Sequence, residues 1–258
     1  MTIEAQLQQL RRPAPGRLAE AVELGLGLVD GYQVFDSPLG PVAVAFNPAG
    51  VSAVDLHDAG LSDRFLARFG RRLRPAAPPK AWGGRIERAL EQGRPGSLPV
   101  DLRSVTAFQQ TILAIAATIP RGEVRPYSWL ARVAGRPGAS RAVGSTMARN
   151  PVPLIVPCHR VVRSDGHIGN YSLGGPENKW DLLTAEGANP ADLEALAASG
   201  VRFVGSDSTG IYCFPTCRNA RRVTGHHRRL FHSSGEAEAA GYRACRLCRP
   251  AEEVPTTM

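Results

Sequence analysis

The chain has 258 residues, 31 Lys+Arg against 23 Asp+Glu, a formal net charge of +8 and five cysteines. That length suits one large domain or two, plus a small module, and is ample for a buried core. No apolar run approaches a membrane span, the N-terminus lacks a signal-peptide core, and an odd cysteine count argues against a closed disulfide framework. The reading is therefore a soluble, intracellular chain.

Residues 1–30 read as a polar lead-in with a short helix. Tyr32-Gln-Val-Phe35, Gly40-Pro-Val-Ala-Val-Ala-Phe46 and Gly50-Val-Ser-Ala-Val-Asp-Leu56 read as three strands joined by Gly, Pro and Asn turns. Helical patterns follow over Leu61–Leu73 and Ala81–Gln92, with a proline-rich break at Pro75–Pro79. Residues 30–100 thus form an α/β unit, a small sheet plus helices, with no cysteine and no ligand cluster.

From Ser104 onward the pattern is mainly helical. Residues 106–119 place Phe108, Ile112, Ile115 and Ile119 on one face. Ser128–Ala134, the turn Gly135-Arg-Pro-Gly-Ala and Ser140–Arg149 predict a helix-turn-helix, with Ser140 as N-cap of its second helix. This domain spans 101–188. A linking segment through Asn189-Pro and Ala191–Ser199 puts a boundary near residue 190, before a module at 201–250.

Within the helical domain stands Pro157-Cys158-His159-Arg160, after the apolar run Asn150-Pro-Val-Pro-Leu-Ile-Val156. A thiol attacks only as thiolate, and positive charge or a histidine relay lowers its pKa. The apolar run predicts that Cys158 is sheltered as well as activated. Adjacent side chains diverge, so His159 is expected to reach the sulfur through a water or a partner rather than directly, unless a tight turn joins them. The bland alternative is a core cysteine beside a surface histidine.

Positive charge is concentrated near that cysteine. Residues 121–163 carry eight arginines against Glu123 alone, and residues 201–258 carry nine arginines against five acids. Such a distribution suits a polyanionic partner, with a solvated basic face as the alternative. Only Lys80 and Lys179 are lysines.

The other four cysteines form two knuckles, Cys213-x-x-x-Cys217 and Cys245-x-x-Cys248. Two short-spaced pairs in turn-forming sequence can converge into the tetrahedral thiolate site that zinc prefers. A tail this short builds little core alone, so a metal staple is physically sensible.

Taken together, Arg121-Gly-Glu-Val-x-x-Tyr127, Arg141-Ala-Val-Gly144, Asn150-Pro-Val-Pro, Pro157-Cys-His-Arg160, Gly169-Asn-Tyr-Ser172, Trp180-x-Leu-Leu and Glu186-Gly187 resemble the O6-alkylguanine-DNA alkyltransferases. The resemblance covers roughly residues 30–187. Thr209-Gly-Ile-Tyr-Cys213 through Cys245-x-x-Cys248 resembles the zinc domain of the bacterial adaptive-response protein Ada, here at the opposite end.

The resemblance implies a winged-helix-like alkyltransferase domain acting on double-stranded DNA, in the cytoplasm, as a monomer. It implies stoichiometric, irreversible transfer of an alkyl group from O6-alkylguanine, and from O4-alkylthymine, to Cys158, with no cofactor for that step. His159 and Glu186 match the relay that deprotonates the thiol through a water, and Tyr127 matches the group that hydrogen-bonds the leaving purine. Asn150 would tie down the nucleophile's segment. Arg141 would fill the space left by a flipped base, and Tyr171 and Ser172 would line the pocket. Glu123 is expected to support the fold, while Arg160 is counted both as a support and as a DNA contact.

Two departures stand out. Leu173 is an extra residue in the pocket loop, and Phe214 replaces an arginine usual in Ada-like modules. Cys213, with Cys217, Cys245 and Cys248 a ligand of Zn2+, matches the acceptor of a methyl group from methylphosphotriesters. Methylating it would add one positive unit to the tail and strengthen DNA binding in a salt-dependent way. The alternative is a purely structural zinc appendage. No further DNA-binding module follows Cys248, so no transcriptional switch is expected of this polypeptide. A non-enzymatic damage sensor and a cysteine hydrolase are the competing classes; intact Cys158 argues against the first, and the adjacent Cys-His pair and the helix-turn-helix against the second.

Overall fold

The first sheet is a meander of β-branched and aromatic residues. In the computed structural model, which describes residues 16–250, helix α1 (Gly16–Gly25) leads into β1 (Val29–Phe35), β2 (Val42–Asn47) and β3 (Gly50–Leu56). The three pair antiparallel, with Gln33 opposite Val44 and Val44 opposite Val54. Every residue of β2 is buried because both faces are covered. One face meets the main core, and the other packs Ala45 and Ala53 on Phe65 of α2 (Leu61–Phe69). Gly50 must be glycine-like, since a Cβ there would lie 2.7 Å from the Pro99 carbonyl.

A fourth strand, β4 (Arg72–Pro75), runs parallel to β1 and gives the order β3-β2-β1-β4. The expected helix over 61–73 is thus two elements. Gly70, in the left-handed region at φ +68°, stops the helix and returns its N–H to the Leu66 carbonyl. Helix α3 (Gly83–Gln92) follows.

Helix α4 (Ala107–Ala116) begins at a reciprocal capping box between Thr106 and Gln109. It buries Ile112, Leu113 and Ala116, each large apolar side chain contributing about 1.5–3 kcal/mol. Strand β5 (Arg125–Pro126) runs into α5 (Tyr127–Val133), and a Gly135–Gly138 turn leads to α6 (Ser140–Ala148). Ser140 is not the cap. It is the first helical residue, because Val143 already bonds back to the Ala139 carbonyl, and no side chain caps that end.

A buried segment, residues 150–157, carries the chain from α6 to a one-turn 3-10 helix at Cys158–Arg160 and strand β6 (Val161–Val162), which pairs with β5. Leu154 adopts φ +69°, an uncommon conformation for a branched residue. Helices α7 (Gly175–Ala185) and α8 (Pro190–Ala198) follow, the latter capped by Asn189. The C-terminal sheet has order β10-β8-β7-β9, from β7 (Phe203–Ser206), β8 (Ile211–Cys213), β9 (Arg228–Phe231) and β10 (Arg243–Ala244), with α9 (Ser234–Ala239) before β10.

One apolar core is continuous from the first sheet through α3, α4, α5 and α6 to Cys213, Phe214, Cys217, Cys245 and Cys248. Among the described residues, no helix is long and apolar enough to cross a membrane.

Candidate active site and metal centre

Cys158 lies at the start of the 3-10 turn, 3% exposed, at the wall of a cavity of about 420 Å³. Tyr127 from the start of α5, Gly144 and Met147 from α6, and Gly169 to Ser172 line the same cavity. The Asn150 amide donates to the Cys158 sulfur at 3.1 Å and to the Val156 carbonyl at 2.9 Å, while its oxygen accepts the Val152 N–H. One side chain therefore fixes both the nucleophile and the segment that carries it.

Burial pushes the Cys158 thiol up from its ordinary value, against the opposing effects of Asn150 and of the Lys179 ammonium. The motif alone had suggested a lowered pKa; a fully enclosed sulfur pays a desolvation cost that its neighbours only partly offset. Burial likewise lowers His159, so the resting site pairs a neutral thiol with a neutral imidazole.

His159 is 2% exposed and its Nε2 lies 2.9 Å from Glu186 Oε1. That contact leaves Nδ1 buried with no hydrogen-bond partner. A buried nitrogen without a protein partner has its hydrogen-bonding capacity left for a water or a ligand. The Tyr171 hydroxyl is a second buried orphan near the same sulfur.

Glu186 ends α7 and receives donors from four directions: His159, the Arg160 Nε and terminal nitrogen at 2.9 and 2.7 Å, and the Gly122 N–H at 3.0 Å. Burial alone would raise its pKa, but these donors prevail and hold it at about 2. It is an anion throughout the physiological range.

Arg160 cannot contact DNA as expected. It is 1% exposed and, besides Glu186, donates to the carbonyls of Gln92, Gly93 and Ile119. Arg125 is also buried, so two of the eight arginines in residues 121–163 are unavailable to a partner. Arg141, at the exposed start of α6, is available. Tyr171 and Ser172 do line the cavity, whereas Leu173 turns away into the core at 4% exposure.

Lys179 escaped the motif reading. It is buried on α7, donates to the carbonyls of Val161 and Ile168 at 2.7 Å, and is lowered to about 8 by desolvation. Its charge favours the Cys158 thiolate. The available signal was its rarity, one of two lysines in an arginine-dominated chain.

In the C-terminal module the sulfurs of Cys213, Cys217, Cys245 and Cys248 lie within 4.8 Å of one another, all buried. A tetrahedron of thiolates around zinc has edges of about 3.8 Å, so the set fits with small adjustment. Thiolates packed this closely repel one another, and a divalent cation among them would offset that repulsion.

An enclosed thiol beside a histidine–carboxylate pair, at the wall of a cavity of about 420 Å³, makes Cys158 the candidate nucleophile of a cysteine-dependent protein. Residues 107–188 match the family described as "6-O-methylguanine DNA methyltransferase, DNA binding domain", and residues 194–251 match "Metal binding domain of Ada". The methylated-DNA–protein-cysteine methyltransferase of Mus musculus is 35% identical over 172 residues, covering 60% of this chain and 81% of that protein. The bifunctional transcriptional activator/DNA repair enzyme Ada of Escherichia coli is 36% identical over 173 residues, 64% of this chain but only 48% of Ada. A crystal structure of Mycobacterium tuberculosis OGT in complex with DNA shares 33% identity over 63% of this chain and 97% of its own, with a TM-score of 0.48. The chain belongs to the methylated-DNA–protein-cysteine methyltransferase family, and its four-cysteine cluster has the geometry to hold a metal ion within the segment that matches the metal-binding domain, which supports zinc binding.

Proposed function

We propose that this protein repairs alkylated duplex DNA directly, by moving the alkyl group of O6-alkylguanine, and of O4-alkylthymine, onto Cys158. The observation that carries the reading is the thiol itself: enclosed, held by Asn150 and backed by an imidazole whose free nitrogen faces no other partner. The damaged base must leave the stack to reach it, at a cost of a few kcal/mol. Arg141, at the start of α6 in the helix-turn-helix of a winged-helix-like domain, is suited to fill the vacated place.

His159 Nδ1 takes the thiol proton through a water, and the Glu186 anion steadies the imidazolium that results. The sulfur then attacks the alkyl carbon in line. An S–C bond forms as the C–O6 bond breaks, and the guanine oxygen leaves with the electron pair. Tyr127, whose hydroxyl keeps its proton because burial raises its pKa, donates a hydrogen bond to the departing purine. The product is a thioether with no readily hydrolysed bond, so the protein acts once. No cofactor enters this step.

The chain divides on this reading into an α/β unit at 30–100, the alkyltransferase domain at 101–188 and a C-terminally fused Ada-like zinc module at 201–250, in a cytoplasmic monomer. Bound zinc would hold Cys213, Cys217, Cys245 and Cys248 as thiolates and fold the module around them. A second transfer, from a methylphosphotriester to Cys213, has one observation in its favour. Cys213 lines a cavity of about 300 Å³ with Ser206, Arg222 and Thr224, and the other three cysteines do not.

Peptide-resolved mass spectrometry tests both readings, after mixing the zinc-loaded protein with O6-methylguanine duplex and, separately, with methylphosphotriester duplex. One methyl on Cys158 from the first is expected, and its absence sinks the central reading. One on Cys213 from the second is expected; none there reduces the module to a structural appendage.

A further inference from the structure

Glu123 and Arg125 are the two charged residues of an ion pair that is almost wholly buried, at 1% and 2% exposure. The Arg125 guanidinium donates to Glu123 Oε2 at 2.5 Å and to the Val124 carbonyl at 2.8 Å. Its faces meet the Trp129 ring of α5 at 5.7 Å and the Phe214 ring of the zinc module at 5.3 Å. The second oxygen of Glu123 accepts the backbone N–H of Arg218, the residue after Cys217. The Val124 N–H donates to Thr216 Oγ1 at 2.8 Å. At the module's far end, Trp129 Nε1 and Arg132 donate to the carbonyls of Arg249 and Pro250. A buried ion pair persists only where its remaining donors and acceptors are satisfied, and here the module supplies part of that shell.

The same segment reaches the nucleophile. Gly122, at φ +72°, gives its N–H to Glu186 and packs so closely that a Cβ would lie 2.6 Å from the Glu186 carbonyl oxygen. Arg125 and Pro126 pair as β5 with Val161 and Val162, directly after the Cys158–Arg160 turn. Module, ion pair, Gly122 and relay carboxylate therefore form one contiguous chain of contacts.

We propose that the zinc module is a fixed brace of the Cys158 centre, with Glu123 and Arg125 as positioning residues that hold Gly122, and hence Glu186, in register with His159. The inference rests on the His159–Glu186 relay described above. It assigns Phe214 to the interface: the aromatic ring there covers the Arg125 cation at 5.3 Å, whereas a second guanidinium would repel it.

The test is the pH profile of Cys158 labelling by iodoacetamide in the full zinc-loaded chain, read by peptide mass spectrometry. It needs no DNA, so its outcome is separable from that of the repair assay. Phe214→Ala and Arg125→Ala are compared with the unaltered chain, with zinc content and hydrogen exchange of residues 120–126 and 201–217 measured alongside. Brace loss moves the labelling midpoint upward and slows labelling near neutrality roughly 2- to 30-fold, the usual range for coupling through packed networks. Loosened packing alone does the opposite, because exposure relieves the desolvation that raises the thiol. A midpoint that stays put or falls, while exchange reports an undocked module, overturns the proposal. Should Arg125→Ala fail to fold, Phe214→Leu carries the same comparison, since it keeps an apolar side chain and both flanking cysteines.

Discussion

Replacing Glu186 by glutamine removes one charge from a point where His159, Arg160 and the Gly122 N–H converge. The folded carboxyl titrates at about 2 against an ordinary value of 4.5, and its side chain is 8% exposed. At about 1.36 kcal/mol per unit, the ionised form contributes on the order of 3 kcal/mol to stability. The sign follows from the depressed value: that stability is fully present above pH 4.5 and is lost as pH falls toward 2. Glutamine removes it at every pH and leaves Arg160 buried without a counter-charge, so a loss of about 3–5 kcal/mol is expected near neutrality. The imidazolium formed at His159 also loses its anion, and single-turnover transfer should slow by roughly 10²-fold or more. Denaturant unfolding at pH 7 and pH 3, with rapid-quench transfer from O6-methylguanine duplex, measures both. If the variant transfers within twofold of wild type and its unfolding free energy keeps the wild-type pH slope, Glu186 is neither the relay anion nor the counter-charge of Arg160.

Other substitutions probe separate parts of the site. Gly93→Ala drives a Cβ into the Arg160 guanidinium at a position with φ +62°, so a loss of about 1–3 kcal/mol is expected, read as a lower denaturation midpoint. A midpoint equal to wild type would mean that Arg160 is not fixed there. Lys179→Met strips the carbonyls of Val161 and Ile168 of their donor and removes a charge near the thiol, so both stability and transfer rate should fall, by about 1–3 kcal/mol in stability. Unchanged transfer in a folded variant would remove Lys179 from the chemistry. Chelation of zinc should expose residues 201–250 to protease, and readdition of the metal should restore resistance. Resistance that survives metal removal would show that the apolar core alone holds the module.

The elements that announce themselves locally were legible. β3 runs from Gly50 to Leu56, the span bounded by the Gly, Pro and Asn turns of the sequence, and Thr106-x-x-Gln109 forms a capping box from residues three apart in the chain. β4 was not, because Arg72-Leu-Arg-Pro75 is only four residues long, continues an apparent helix and becomes a strand only beside β1. Ser140 carries the right side chain for a cap, but the preceding turn enters the helix one residue earlier. In each case the missing information is a tertiary partner rather than a local preference.

The site divides along the same line. Asn150, Cys158 and His159 lie within ten residues, and their pattern is enough to expect a sheltered thiol with its base nearby. The charges around them are another matter. An arginine written in sequence looks the same whether it meets DNA or fills a core; Arg160 is buried because carbonyls from residues 92, 93 and 119 and a carboxylate from residue 186 gather around it. Arg125 is buried because Phe214, nearly ninety residues later in the chain, returns to cover it. The net charge of residues 121–163 therefore overstates what a polyanion can feel, and the same two arginines that leave the surface are those that bind the Glu186 carboxylate and pack against the C-terminal module. Counting charge locates this region; only the partners reveal that part of its charge is structural.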